Sequence, residues 1–174
     1  MDNENKLMIV DTEMDALLSN AIQLIQYARK LAVKQVNTVQ LMTFYSLGRW
    51  IVEVQQKGES RAKYGEQVIQ ELSRALTEQF GKGFSEGTLK NARKFYLNYK
   101  DRISETVFTL FAVEKSETVF AFLEKETPFP LPWSHYLLLM RIKDKNERSF
   151  YELESSHGQW SIRVLQRQIG RAHV

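Results

Sequence analysis

A short basic stretch, "FGKGFSEGTLKNARKFY" at residues 80–96, contains side chains suited to binding a polyanion. Between residues 81 and 102, six lysines and arginines stand against two acids, a local net charge of +4. The whole chain has a net charge of only +3, so its positive charge is concentrated in this segment. Phosphate backbones bind to concentrated positive charge of this kind.

The spacing within this stretch predicts a helix that follows Ser85 as its N-cap. Leu89, Ala92, Tyr96 and Tyr99 then share the side that faces the core. The opposite side presents lysine and asparagine, which contact guanine edges, phosphates and adenine edges. A preceding helix with Arg74 and a glycine turn with Lys82 complete a helix-turn-helix pattern. The predicted DNA contacts are Arg74, Lys82, Lys90, Asn91, Arg93, Lys94 and Asn98. A helical hairpin whose basic face is only solvated is the alternative.

The elements around this hairpin follow from three- and four-residue apolar spacing, which predicts an all-α fold of about seven helices. Asp144 followed by Glu147 is typical of a capped helix start. The spacer 101–131 is irregular, and short helix or a small β element near 104–122 both fit it. The predicted helices are 14–33, 38–56, 62–80, 86–100, 133–142, 145–156 and 161–169.

Composition excludes several classes of protein. The 174 residues include no cysteine, which excludes a disulfide scaffold, a thiol nucleophile and a zinc finger. No apolar run is long enough to span a membrane, and the acidic N-terminus lacks the features of a signal peptide. We therefore predict a cytoplasmic protein with no membrane partner and no evident small-molecule substrate. His135 is predicted to be structural rather than a metal ligand, and Arg148 is left open between phosphate contact and solvation.

Several longer stretches of the sequence resemble a known family. Residues 64–85 read "YGEQVIQELSRALTEQFGKGFS", and residues 131–169 contain "WSHY" and "WSIRVLQRQI". Over residues 15–169 the chain resembles the N-terminal domain of the YhcG family. That resemblance implies bacterial nucleases of the PD-(D/E)XK superfamily, in which a helical half with a helix-turn-helix precedes a C-terminal nuclease domain.

The chain departs from that family pattern because it stops at residue 174, before any nuclease domain. A metal-dependent nuclease of this type needs an Asp followed at a distance by Glu-x-Lys. The acidic and lysine residues at 114–115 and 124–126 lack that spacing. The resemblance therefore implies no catalytic residues and no cofactor in this chain, with a divalent metal expected only in the missing domain.

The predicted organisation is a flexible N-terminus at 1–13, a helical domain at 14–169 and a short tail at 170–174. Within the domain, a first helical part covers 14–100, a spacer covers 101–131 and a second helical part covers 132–169. The ending "IGRAHV" is encoded by the bases ATC GGA AGA GCA CAC GTC, which begin a common sequencing adapter. The tail is therefore interpreted as a sequencing artefact, with a natural short tail as the alternative.

These observations predict a DNA-binding and targeting domain of a nuclease, itself without catalytic residues and not an enzyme. The alternative is a helical module for dimerisation or protein interaction, with DNA contacted by the missing C-terminal half. An exposed apolar patch near 104–126 would distinguish this alternative. DNA is the expected partner, and a homodimer is a further option because two-fold DNA reading favours it.

Overall fold

The structure, a computed structural model, describes residues 2–57, 62–115 and 128–172. The chain divides into two compact units, residues 1–36 and residues 37–174. The first unit consists of the N-terminal part of a long helix, α1, which runs from Asp2 to Lys57. The prediction of two helices, 14–33 and 38–56, is wrong. No glycine or proline lies between them, and Asn37 and Thr38 each cost a helix only a few tenths of a kcal/mol.

The second unit contains the rest of α1 and all the other helices, which confirms the predicted all-α fold. Two shorter helical turns occur among them, a 3₁₀ turn at Lys100–Arg102 and a π-helical turn at Thr109–Val113. The predicted β element is wrong for residues 105–113, which are helical, and its remainder at 116–122 lies outside the described residues. The further helices are α2 (Ala62–Phe80), α3 (Glu86–Tyr99), α4 (Glu105–Phe108), α5 (Trp133–Leu139), α6 (Lys145–His157) and α7 (Ile162–Ala172).

Helix α6 begins where its sequence predicts. The Asp144 side chain accepts a hydrogen bond from the backbone N–H of Glu147 at 2.7 Å, as an N-cap does. Glu147 in the first turn also suits the positive end of the helix dipole. The predicted helical domain boundary at 169 falls inside α7, which continues to Ala172.

An aromatic core joins α3 to the second helical part. Phe95 of α3 is completely buried, and its ring centroid lies 4.8 Å from Phe129, 5.2 Å from Tyr136 and 5.3 Å from Trp133. Aromatic pairs at such distances stabilise beyond the area that they bury. The core therefore fixes the rotation of α3 about its own axis.

Gly48 allows α1 to approach α3 closely. A Cβ atom at Gly48 would lie 2.1 Å from the carbonyl oxygen of Ala92. Such a distance is a clash with backbone, which cannot move aside as a flexible side chain can. The glycine is thus required by packing between the two helices and not by a turn.

Candidate nucleic-acid interface

The predicted cations lie on α2, on α3 and in the turn between these two helices. Lys82 lies in the turn between α2 and α3, and Lys90, Arg93 and Lys94 lie on α3. All four side chains are exposed, as is Arg74 on α2. The structure therefore leaves five of the seven predicted contact residues open to a ligand from solvent.

The turn has the backbone that its glycines allow. Gly81 has a φ of +79° and Gly83 a φ of +129°, values that residues with a side chain rarely adopt. The N–H of Gly81 donates to the carbonyl of Thr77 at 2.9 Å and closes the last turn of α2. Lys82 is held between these two glycines, at the start of the turn.

Helix α3 begins with the N-cap that the sequence predicts. The Ser85 hydroxyl accepts a hydrogen bond from the backbone N–H of Thr88 at 3.2 Å. Glu86 follows in the first turn, where a negative charge is favourable. The cap fixes the position at which α3 starts, and hence the direction in which Lys90 and Lys94 project.

A small apolar cluster packs the α2–α3 hairpin against α1. Ile51 of α1, Ile69 of α2 and Leu89 of α3 are buried against one another. Leu47, Leu72 and Leu76 pack around them as partly buried neighbours. Three helices thus share one core, so the hairpin is a packed element of the second unit rather than a free pair of helices.

The buried side of α3 is shifted from the predicted one toward Phe95. Leu89, Ala92 and Tyr99 are buried as expected, but Phe95 is buried in place of Tyr96, which is only partly covered. The second helical part packs on that flank of α3 through Tyr136, and the end of the spacer packs there through Phe129. Helical phase alone does not show which flank of a helix a distant segment will cover.

The two asparagines lie at the edge of that covered flank. Asn91 and Asn98 are half-buried, unlike the lysines beside them. The Asn98 amide donates to the carbonyl of Lys94 at 2.8 Å, and its oxygen accepts a hydrogen bond from Arg148. The structure therefore uses Asn98 to fasten α3 to α6.

The charge on the exposed side of α3 is almost entirely positive. Glu86 pairs with Lys90 at 3.2 Å, and no acid follows Glu86 within the helix. Such an exposed pair is worth less than about 1 kcal/mol, so Lys90 remains available to a phosphate. Arg74 differs, since Glu71 and Glu78 lie one helical turn to either side of it. The net positive charge is consequently concentrated on the turn and α3.

Sequence reasoning missed a polar network behind this surface. The Glu152 carboxylate, 5% exposed, accepts hydrogen bonds from two guanidinium nitrogens of Arg102 at 2.5 and 2.6 Å. The Tyr136 hydroxyl donates to the same carboxylate at 2.7 Å. Fifty residues separate Arg102 from Glu152, so no local spacing could have predicted the pair. The network holds the 3₁₀ turn that follows α3 against α5 and α6.

Burial and charge determine the proton affinities in this network. Burial raises the pKa of the Tyr136 hydroxyl, and the neighbouring Glu152 carboxylate raises it further. Burial lowers the pKa of Arg102, but its hydrogen bonds to Glu152 outweigh that effect, so the pKa is raised overall. Tyr136 thus stays neutral as a donor and Arg102 stays charged.

The structure also shows where His135 and Arg148 lie. His135 is buried, and its Nε2 lies 2.8 Å from the carbonyl oxygen of Trp160, a structural contact. Arg148 is buried rather than solvated.

Among the described residues, no group of three or more His, Asp and Glu side chains could hold a metal ion. The acids at 124 and 126 lie outside the described residues. In the same described part, no helix is long and apolar enough to cross a bilayer.

Comparisons with known proteins agree with the resemblance in the sequence. The family described as "DUF1016 N-terminal domain" matches residues 20–173. A protein of Escherichia coli strain K12 named "Putative nuclease YhcG" is 38% identical over 159 residues. That alignment covers 85% of this chain and 42% of the relative's length. No solved structure matches the chain.

Proposed function

Because the chain belongs to the DUF1016 N-terminal domain family, we propose that it is the DNA-binding and targeting part of a nuclease. The name of its Escherichia coli relative supports the nuclease context, and the chain spans 42% of that relative's length. The observation that supports DNA binding most directly is the α2–turn–α3 hairpin with its exposed cations. These cations project from a packed three-helix core, as a groove-binding element requires.

The proposed mechanism has two steps. Lys82, Arg93 and Lys94 attract the phosphate backbone, and each phosphate contact releases a counterion. Lys90 and Lys94 then contact base edges or phosphates in the groove, and Asn91 reads a base edge beside them. Asn98 has a different role in this proposal, because its hydrogen bond with Arg148 holds α3 in position.

A titration of the chain against labelled duplex, branched and single-stranded DNA tests this proposal. We expect saturable binding to duplex DNA at about 50 mM salt that weakens by an order of magnitude or more at about 200 mM. Fluorescence anisotropy measures both affinities. Affinity that is undetectable at the lower salt, or unchanged between the two, would contradict the proposal.

We further propose that the chain binds DNA without cutting it. A PD-(D/E)XK nuclease needs carboxylates around a divalent metal, and the described residues offer no such cluster. Incubation of the purified chain with supercoiled plasmid and Mg²⁺ or Mn²⁺ should leave the plasmid intact on a gel. Metal-dependent nicking that copurifies with the chain and disappears with EDTA would refute this part of the proposal.

A helical interaction module is the second candidate function. The observation that favours it is a row of exposed apolar side chains on α1, in the first unit. The predicted apolar patch near 104–126 lies partly outside the described residues. The two candidate functions use different residues and are compatible with each other.

A further inference from the structure

The first unit exposes an unusual amount of apolar surface along α1. Six side chains between residues 14 and 25 leave 50–67% of their surface open to solvent. Apolar surfaces of this extent on one element mark sites of association rather than ordinary solvated helix. The six residues are Met14, Leu17, Leu18, Ile22, Leu24 and Ile25.

Three of these residues, Met14, Leu18 and Ile25, combine with nearby alanines in the heptad spacing of a coiled coil, and the other three flank it. Met14, Ala21 and Ala28 repeat every seven residues, and Leu18, Ile25 and Ala32 form a second row four residues further on. Alternate steps of four and three residues produce a continuous apolar seam along one side of a helix. The opposite side is polar and contains Ser19, Gln23, Gln26 and Lys30.

We propose that a second copy of this chain packs antiparallel along the seam, centred at residues 22–23. In that orientation each layer pairs a large side chain with a small one. Leu18 faces Ala28 of the second copy, Ile25 faces Ala21, and Met14 faces Ala32. Alternating large and small residues fill the space between two helices evenly. A parallel dimer in register would instead stack alanine on alanine at residues 21, 28 and 32 and leave gaps.

The charges beside the seam also fit the antiparallel orientation. Asp15 and Arg29 lie on the same flank of the seam, two heptads apart and on either side of Ile22. An antiparallel partner brings Asp15 of each copy near Arg29 of the other, which gives two ion pairs. Such flanking charges set the orientation of paired helices. A parallel partner would place Asp15 level with Asp15 and leave both charges unpaired.

Sedimentation velocity over a range of chain concentrations tests the dimer. We expect the parent chain to be a dimer and the variant L18E/I25E to be a monomer, with a dissociation constant raised about 100-fold or more because charges would enter the seam. The control S19E/Q26E adds the same charge to the polar side and should remain a dimer. Since all four positions are exposed, circular dichroism should show the same helix content in each variant. A monomeric parent chain, or a dimer in L18E/I25E, would overturn the proposal.

Cross-linking tests the orientation and benefits from the absence of natural cysteines. D15C and R29C are each expected to resist a short bismaleimide alone but to cross-link when the two variants are mixed. I22C should cross-link by itself, because Ile22 lies near the two-fold axis. Self-cross-linking of D15C without mixed products would establish a parallel pair and overturn the antiparallel arrangement. These outcomes are independent of DNA binding, which uses α2 and α3.

Discussion

The Glu152 carboxylate is the shared acceptor of the buried hydrogen-bond network. It is buried and receives three hydrogen bonds, two from Arg102 and one from Tyr136. A buried carboxylate is tolerated only when donors surround it, and a missing donor leaves a costly group. Through Arg102, this contact anchors the 3₁₀ turn that directly follows α3, the helix with the lysines.

Replacing Tyr136 by phenylalanine removes one of these donors and keeps the ring. We expect Y136F to lower the free energy of unfolding by about 1.5–3 kcal/mol, since the lost bond ends at a charged group. Urea denaturation at neutral pH measures the change. The matched control is Y99F, because the buried Tyr99 hydroxyl has no hydrogen-bond partner among the described residues. Equal losses in both variants would contradict the role assigned to Tyr136.

Single residues also show how far the sequence predicts the candidate site. The cap at Ser85 and the exposed lysines of α3 follow from local spacing, and the structure confirms both. The burial of Phe95 and the bond between Asn98 and Arg148 do not follow from it. Both depend on α5 and α6, which lie dozens of residues along the chain, so helical phase alone could not reveal them.

At the level of elements, the contact between α1 and α3 depends on Gly48. We expect G48A to lower the free energy of unfolding by about 1–3 kcal/mol through overpacking against the Ala92 carbonyl. Alanine is the better helix former by about 1 kcal/mol, so an open site would give the opposite sign. Urea denaturation distinguishes the two signs. The exposed G87A, whose Cβ meets only the Ser85 hydroxyl at 3.8 Å, is the control.

The sequence predicts helix boundaries where it contains a turn glycine or a capping side chain. Gly81, Ser85 and Asp144 mark ends or starts that the structure confirms for α2, α3 and α6. The junction at 34–37 contains no such signal, and the chain continues as one helix through it. The apolar stripe of residues 14–33 was predicted correctly as a helical face, but the sequence alone did not show that this face would be exposed.

At the scale of the whole molecule, buried tyrosines should make the fold sensitive to alkaline pH. Burial raises the pKa of Tyr45 from 10.0 to about 12, and it raises the pKa of Tyr99 and Tyr136 as well. Above pH 10 the unfolded chain loses these protons while the folded chain keeps them. Stability is therefore fully present below pH 10 and falls as the pH rises toward 12, by about 1.4 kcal/mol per pH unit for each such tyrosine.

Urea denaturation across this pH range, with phenolate absorbance as a second signal, measures the effect. We expect Y45F to show a shallower decline than the parent chain, because one of the described tyrosines with a raised pKa is removed. Phenolate absorbance from the remaining buried tyrosines should appear together with unfolding. A free energy of unfolding that stays constant from pH 10 to 12 would contradict the assignment.

We propose that the cations of the turn and α3 bind duplex DNA. The most direct test of this proposal compares K90A/K94A with the parent chain in anisotropy titrations at several salt concentrations. The control K143A/K145A removes two exposed lysines from the loop and helix start near α6. We expect K90A/K94A to bind more weakly, with a salt slope smaller by about 1.8, the value for two phosphate contacts. A K90A/K94A variant that binds DNA like the parent chain at every salt concentration would contradict DNA binding by this surface.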